Sequence, residues 1–253
     1  MVVVIPKDKS VEALDGLHLY HGAISNCSMR VRMTLIEKGL DWNSHHLDLK
    51  KKENISDDYF AINPNGLVPT LIDNGVVHIE SNDIIDYLDE TYPEPSLRAA
   101  DNATMLEWLR LAGSIHVPAV KPYVYATIIA KKVKKTAEEE AKYNALQQND
   151  ELKKFHSKHA GSGQFSNDDV AEAEAILKQC FDKLEAALDG NDWVMGDQFT
   201  LADISWIPLH FVLIGCGYPF ERYPNITRWA KAFEQKKSFQ EGIIEWCADF
   251  SKV

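Results

Sequence analysis

The stretch from Asn63 to Pro93 carries residues whose types and order suit the binding of a small acid. Pro69 lies inside a short apolar run, and because proline cannot donate to a central ladder it predicts a strand end, a sheet edge or a cis peptide after Val68. Before a cis proline, the Val68 backbone would turn outward and could pair with an extended peptide. Ser81 begins a predicted helix, whose free N–H groups and positive dipole end suit a carboxylate. The pattern predicts a site for a peptide-like acid, although an edge proline and an ordinary helix cap explain it equally well.

Turn residues and hydrophobic spacing define the elements that would position these groups. Asp73-Asn74-Gly75 predicts a hairpin between an apolar run at 67–72 and a return strand at 76–79. Upstream, the pattern predicts in order a loose leader at 1–16, a strand at 17–20, a helix at 27–38, a strand at 41–49 and a short helix. The order β-α-β and then β-β-α is typical of a thioredoxin-like layer.

A segment rich in proline and small polar residues, 91–102, predicts a boundary. Beyond it the pattern is helical: a long segment at 103–135 interrupted by Pro118 and Pro122, a loop or weak helix plus loop at 136–169, and helices at 168–188, 200–214, 226–234 and 239–250. The run within 204–214 is nearly all apolar and predicts a buried helix. We therefore predict an α+β thioredoxin-like domain at 1–92, a linker at 93–102 and an all-α domain at 103–253.

Composition excludes several classes of function. The 253 residues are 45% apolar and 26% charged, as in ordinary globular proteins, and the net charge of −11 argues against a nucleic-acid partner. No stretch reaches the roughly 18 apolar residues of a membrane span. The four cysteines are scattered, which favours free thiols and a cytoplasmic location. We expect no metal site, because His156 and His159 have helical spacing but no carboxylate partner.

Several motifs, taken in order, resemble those of the cytosolic glutathione transferase superfamily over nearly the whole chain. They are the helix start Ser25-Asn-Cys-Ser-Met-Arg-Val-Arg, the segment NPNGLVPTL with Val68-Pro69, the pair Glu80-Ser81, and FTLADI with a capping box of Thr200 and Asp203. The resemblance implies a glutathione transferase fold, in which the first domain binds glutathione as co-substrate and the helical domain binds a small electrophile. It also implies a homodimer and a role in detoxification.

The resemblance assigns the glutathione-binding residues one by one. It implies that Val68 pairs through its backbone with the cysteinyl part, that Pro69 is cis, and that Glu80 and Ser81 hold the γ-glutamyl amine and carboxylate. The last role agrees with the carboxylate site predicted at the Ser81 helix.

Other positions match the family pattern less closely. Lys52 and Asn54 lie nearest the place from which relatives hold the glycine carboxylate, and Leu67 stands where many relatives carry a polar residue that could contact glutathione. The electrophile pocket is expected to draw on four aromatic or polar residues, although each is a common packing residue as well: His116, Tyr123, Tyr125 and Trp206.

A glutathione transferase must supply a thiolate, and a free thiol with a pKa of about 8.5 is mostly protonated at neutral pH. The resemblance places the residue that activates the glutathione thiol at the start of the predicted helix 27–38, among residues 25–28. Ser25 is the first choice, Cys27 is the second, as the residue that would form a mixed disulfide, and Ser28 is the third. Ser25 could instead be a plain N-cap, and Cys27 a small buried apolar residue.

Three functions compete. In the first, glutathione thiolate attacks an apolar or aromatic electrophile; a polar insertion at 131–170 is similar to that of bacterial transferases that cleave the β-aryl ethers of lignin-derived dimers. In the second, the protein is a glutathione-dependent thiol-disulfide transferase working through Cys27. In the third, the fold serves as a non-enzymatic interaction module.

Overall fold

A computed structural model describes residues 2–129, 136–157 and 165–247 of the chain. Within those residues, each helix is too short or too polar to cross a membrane. The pair of histidines that we considered for metal binding includes His159, which lies outside the described residues. In the described part of the chain, no cluster of three or more histidine, cysteine or carboxylate side chains could hold a metal ion.

A five-stranded mixed sheet forms the centre of the first half, with the strand order β1-β5-β4-β2-β3. The strands are β1 Val2–Val4, β2 Leu17–His21, β3 Asn43–His46, β4 Thr70–Asp73 and β5 Val76–Ile79. β2 and β3 run parallel, and the other neighbours run antiparallel. The predicted loose leader is wrong, because β1 pairs with β5 and a 3₁₀ helix follows at Lys9–Ala13.

Three helices accompany this sheet: α1 Asn26–Glu37, α2 Asp57–Ile62 and α3 Ser81–Thr91. A short 3₁₀ turn at Glu53–Ile55 precedes α2. α1 ends where Gly39 takes a φ of +63°, a conformation that glycine adopts without strain. The layer of sheet and helices confirms the predicted thioredoxin-like fold.

Residues 92–101, all of them described, contain no helix or strand. The described residues after 101 are mainly helical, which confirms the predicted fold class, and we call the described residues between 102 and 247 the helical half; its separation from the first half at 93–102 remains a prediction. Its helices are α4 Asn102–Ser114, α5 Lys121–Val124, α6 Ala137–Leu146, α7 Asp150–Ser157, α8 Asn167–Ala187, α9 Leu201–Gly215, α10 Pro224–Ala232, α11 Lys237–Phe239 and α12 Glu245–Cys247. 3₁₀ turns lie at Phe220–Arg222 and Phe233–Gln235.

The interruption expected at Pro118 and Pro122 is present. π-helical turns at His116–Val120 and Tyr125–Ile129 flank α5, and a third joins α11 to α12 at Gln240–Ile244. π-helical turns of this kind are frequent at functional sites.

α9 lies at the centre of the helical half. Its capping box is formed as predicted, with the Asp203 carboxylate accepting from the Thr200 N–H at 2.9 Å. Asp203 also accepts from the Val194 N–H and the Trp229 indole, each at 2.9 Å. The helix is buried along most of its length, but Ile214, which the apolar run placed inside, is 54% exposed because it lies at the end of the helix.

α1 connects the two halves through two buried arginines. Arg30 donates to the Ser205 carbonyl of α9 at 2.8 Å, and Arg32 donates to the Gly242 carbonyl at 2.7 Å. A guanidinium keeps its charge when buried, so such groups need several acceptors. The start of α1 is therefore fixed from both halves of the molecule.

Candidate active site

The three candidate activating residues share the first turn of α1 but face different surroundings. The Ser25 hydroxyl caps the helix by accepting from the Ser28 N–H at 3.2 Å. The Ser28 hydroxyl is fully buried and accepts from the Gly22 N–H at 3.2 Å. Cys27 is partly exposed and lines a cavity. Residues three apart share a helix face, so Ser25 and Ser28 face the preceding loop and Cys27 does not. Of these three residues, the structure brings Cys27 to the cavity; Ser25, our first choice, serves as the N-cap.

The cavity encloses about 580 Å³, within the range of small-molecule sites. It lies between α1 and α3 on one side and α4, the π-helical turn at His116–Val120 and α7 on the other. Its polar wall includes Cys27, Arg30, Glu80, Ser81, His116 and Lys121, and its apolar wall includes Leu67, Leu106, Leu109, Val117 and Leu152.

Arg30 joins the Cys27 thiol to the start of α3. Its Nη1 lies 3.6 Å from the Cys27 Sγ and donates to the Ser81 hydroxyl at 3.1 Å. The His116 Nε2 lies 3.9 Å from the same sulfur. One buried guanidinium therefore links the Cys27 sulfur to the first residue of α3.

Glu80 precedes α3 with a backbone φ of 69°. Residues other than glycine rarely adopt a positive φ, and such conformations persist where the surroundings enforce them, often at ligand sites. Burial raises the pKa of the Glu80 carboxyl, and the neighbouring Cys27 acts in the same direction. Ser81, beside it, is the first residue of the helix and is 7% exposed.

The Leu67–Pro69 segment borders the same cavity. The Val68–Pro69 peptide is cis, as the resemblance implies. The Leu67 carbonyl accepts from the Tyr59 hydroxyl at 2.6 Å and from the Asn63 amide at 2.8 Å. The Leu67 side chain lines the cavity. Its carbonyl is therefore held inside the protein, and pairing of Val68 with a peptide stays a prediction.

Lys52 and Asn54 do not line the cavity; both make contacts within the protein. The Lys52 ammonium pairs with Glu139 of α6 at 2.5 Å, and the Asn54 amide donates to the Gly66 carbonyl at 2.8 Å. The sequence could not show the first contact, because the segment that carries Glu139 is polar and predicts only a loop or a weak helix plus loop, whereas it folds as a helix with its own capping box.

Of the four residues predicted for the electrophile pocket, His116 lines the cavity. Trp206 is fully buried, and its indole donates to the Trp108 carbonyl at 3.1 Å. Tyr123 is 5% exposed and packs edge-on against Tyr218. Tyr125 packs edge-on against Phe155, with 5.5 Å between ring centroids. Tyr123 and Trp206 are therefore core residues, as their packing alternative stated, and Tyr125 does not line the cavity.

Sequence reasoning missed three basic residues of the cavity, Arg30, Arg110 and Lys121. Burial lowers the pKa of the Lys121 amine, although the neighbouring Cys27 and Glu80 oppose this effect. Burial also lowers the pKa of His116 well below its usual range, and the charges of Lys121 and Arg30 add to this effect. The sequence did contain a pattern that could have identified them. Each is a basic residue within an otherwise apolar helical stretch, where charged residues are rare unless they bind a partner.

Residues 19–96 match the family profile described as "Glutathione S-transferase, N-terminal domain", and residues 167–232 match "Glutathione S-transferase, C-terminal domain". Glutathione S-transferase 1 of Dianthus caryophyllus is 30% identical over 88% of this chain and 90% of its own length. Glutathione S-transferase Z1 of Arabidopsis thaliana is 29% identical over 91% of this chain and 93% of its own length. The crystal structure of the beta-etherase LigF from Sphingobium sp. strain SYK-6 superposes with a TM-score of 0.77 at 26% identity, covering 94% of this chain and 99% of LigF.

Proposed function

The chain belongs to the glutathione transferase family, an enzyme family that uses glutathione as co-substrate, and we propose that it binds glutathione in the cavity beside Cys27 and directs the thiolate at an apolar or aromatic electrophile. The observation that carries this proposal is the position of Arg30, which contacts both the Cys27 sulfur and the Ser81 hydroxyl. A peptide that reaches from the α3 start to Cys27 would place its sulfur beside a buried guanidinium.

The charged groups of glutathione then have complementary partners. Ser81 and the N-terminus of α3 would hold the γ-glutamyl carboxylate, and Glu80 would hold its amine. Val68 would pair with the cysteinyl backbone. Lys52 would hold the glycine carboxylate after leaving its present partner, Glu139. The Lys52–Glu139 ion pair is partly exposed, so opening it costs little free energy.

The thiolate is the form that must be stabilised. Lowering the thiol pKa by about two units requires about 2.7 kcal/mol of preference for the anion. The Arg30 charge and the N-terminus of α1 can supply a preference of this size in a partly buried site. Cys27 contributes a polarisable contact next to the glutathione sulfur.

Ultraviolet difference titration of bound glutathione tests this proposal in the wild type and in Ser25→Ala, Cys27→Ala and Ser28→Ala. We expect thiolate absorbance at neutral pH in the wild type and in Ser25→Ala, and a raised thiol pKa in Cys27→Ala. Ser28→Ala removes a buried hydrogen bond and serves as the structural control. Glutathione that binds without forming thiolate would overturn the proposal, and no binding at millimolar concentration would favour an interaction module.

Thiol-disulfide exchange is the second candidate, and the exposure of Cys27 on the cavity wall favours it. The Cys27 thiolate would attack a glutathione mixed disulfide, taking the glutathionyl sulfur and releasing the other thiol; a second glutathione would then reduce Cys27. Cys27→Ser should abolish this exchange while retaining conjugation of an aryl halide. Equal loss of both activities would exclude a separate redox function.

For the electrophile, the similarity to LigF supports a β-aryl ether. The thiolate would form a C–S bond while the ether C–O bond breaks, and the phenolate would leave with the electron pair. Release of phenol from a lignin-type dimer, compared with chloride release from an aryl halide, tests this choice.

We further propose a cytoplasmic homodimer, and light scattering of the purified protein measures its mass.

A further inference from the structure

We propose that Lys121 binds a carboxylate on the electrophile, so that this enzyme prefers anionic over neutral substrates. The inference rests on the proposed function, because it names the substrate class of the same cavity. It follows from an ammonium group that lies on the cavity wall and, in the described part of the chain, has no carboxylate within 4 Å.

The Lys121 ammonium has an unusual position for a lysine. It lines the cavity and lies 4.8 Å from the centroid of the Phe155 ring. Among residues 2–129, 136–157 and 165–247, no carboxylate lies within 4 Å of it. A cation–π contact does not replace a hydrogen-bonded anion, and a largely buried cation without one is costly.

Hydrogen-bond donors are in excess around this wall. The Arg30 Nη2 is buried and has no acceptor among the described residues, and neither does the Lys121 ammonium. Glutathione, bound at α3, would satisfy Arg30, because Arg30 already contacts Ser81. Lys121 comes from α5 in the helical half, so the second acceptor is expected on the electrophile.

The rest of this wall suits the body of such a substrate. Leu152 and Val117 line the cavity beside Lys121, and the Phe155 ring lies under its ammonium. The cavity wall also carries Glu80, Asp83, Asp86 and Glu151, of which Glu80 lies near enough to act on Lys121, so an anion is disfavoured wherever no basic residue offsets these charges. Of the other basic residues on this wall, Arg30 already contacts Ser81 and Arg110 is exposed. Lys121 is therefore the one at which an aromatic carboxylate would meet both a charge partner and an apolar surface.

Lys121 could instead stabilise the glutathione thiolate, since its charge also acts on Cys27. The two roles differ in what they predict. If Lys121 binds the electrophile's carboxylate, removing its charge should reduce the discrimination between charged and neutral electrophiles and leave the glutathione thiol pKa unchanged. If Lys121 stabilises the thiolate, removing its charge should raise the thiol pKa and slow the reaction with both electrophiles alike.

The test uses a chloronitrobenzoate and its neutral amide, from each of which the thiolate displaces chloride to form a thioether. In Lys121→Met, kcat/KM for the benzoate should fall about ten- to hundredfold relative to that for the amide, the effect expected for loss of a charged hydrogen bond. Lys121→Arg keeps the cation and should retain the preference. Lys178→Met removes an exposed charge on α8 and should leave the ratio of kcat/KM for the benzoate to kcat/KM for the amide unchanged.

Binding of the benzoate to protein saturated with S-methylglutathione, measured by calorimetry, provides a readout independent of turnover. We expect tighter binding of benzoate than of amide in the wild type, and loss of the difference in Lys121→Met. Equal binding in the wild type, or a raised thiol pKa in Lys121→Met, would overturn the Lys121 assignment. Absence of thiolate in the wild type would instead refute the proposed transferase function.

Discussion

Ser25 illustrates how one side chain can match a family position and yet have a structural role. Its hydroxyl caps α1, and replacing such a cap by alanine costs about 1 kcal/mol of stability. We therefore expect Ser25→Ala to lower the free energy of unfolding in urea by about that amount, with Ser25→Asp retaining most of it. A change in thiol pKa without a change in stability would show that Ser25 acts on glutathione instead.

His21 makes stability depend on pH. Burial, reinforced by the charge of Arg32 and the neighbouring His46 and His45, lowers the pKa of this fully buried histidine to about 3. The unfolded chain, with a pKa of about 6.5, therefore takes up the proton first as pH falls. The stability contributed by neutral His21 is present above the unfolded pKa and is lost between about pH 6.5 and the folded pKa, by up to about 1.4 kcal/mol per pH unit.

The variant His21→Gln isolates this effect. Urea midpoints at about pH 7.5 and about pH 5 should differ less in the variant than in the wild type, because the unfolded state has lost one titrating group. A part of the acid sensitivity should persist, since burial also lowers the pKa of His210 to about 4. Identical pH slopes in the two proteins would show that the pKa of His21 is the same in the folded and unfolded states.

At the scale of single residues, the sequence identified the cavity in part. Glu80, Ser81 and Leu67, which belong to the sequence motifs, line it, because loop and helix-start positions follow from local patterns; His116, expected from the resemblance, lines it as well. Trp206 was not predictable in the same way, since an aromatic residue on a helix can face either the core or a pocket. Only the packing of α9 against α4 and α8 decides this.

At the scale of elements, two capping boxes provide a matched comparison of surface and core. Ser166 and Asp169 start α8 at an exposed position, and Thr200 and Asp203 start α9 in the core. Asp203 also accepts from Val194 and Trp229. Its removal therefore leaves several buried donors without partners, each worth about 1–3 kcal/mol.

We expect Asp203→Ala to lower the free energy of unfolding by about 4 kcal/mol or more, and Asp169→Ala by about 1 kcal/mol. Calorimetric or urea unfolding of the two variants measures the difference. Asp203→Asn keeps an acceptor for Trp229 and should lie between them. Similar losses in both alanine variants would mean that the buried donors find other partners.

Elements with strong local signals were predictable, and those that depend on distant partners were not. The hairpin strands and the amphipathic helix α8 follow from turn residues and apolar spacing. β1 is stable because it pairs with β5, more than seventy residues away, which no local pattern reports. α6 is a polar helix whose contacts to the first half include the Lys52–Glu139 and Asp57–Lys142 ion pairs.

At the scale of the whole molecule, α1 is the element against which distant parts of the chain pack. Arg32 donates to the Gly22 and Ala23 carbonyls just before the α1 start, and to Gly242 near the end of the described chain. Trp246 packs against the Arg32 guanidinium at 5.3 Å and against His21 at 4.5 Å. The C-terminal π-helical turn therefore supports the loop that leads to Cys27.

This packing leaves little room for a side chain at position 242. A Cβ atom there would lie 3.2 Å from the Met33 Cγ and 3.3 Å from the Met33 backbone nitrogen. Met33 is fully buried in α1, so neither atom can move aside freely. The branched side chain in Gly242→Val must therefore separate the C-terminal turn from α1, at a cost of about 1–3 kcal/mol.

Gly215→Ala is the control, because a Cβ at the end of α9 meets no atom within 4 Å. We expect it to stabilise the protein by up to about 1 kcal/mol, through the better helix propensity of alanine. Gly242→Val should also increase hydrogen exchange at residues 21–25, because the Arg32 contact to Gly242 helps to hold that loop. Destabilisation without faster exchange there would mean that Arg32 fixes the loop through Gly22 and Ala23 alone.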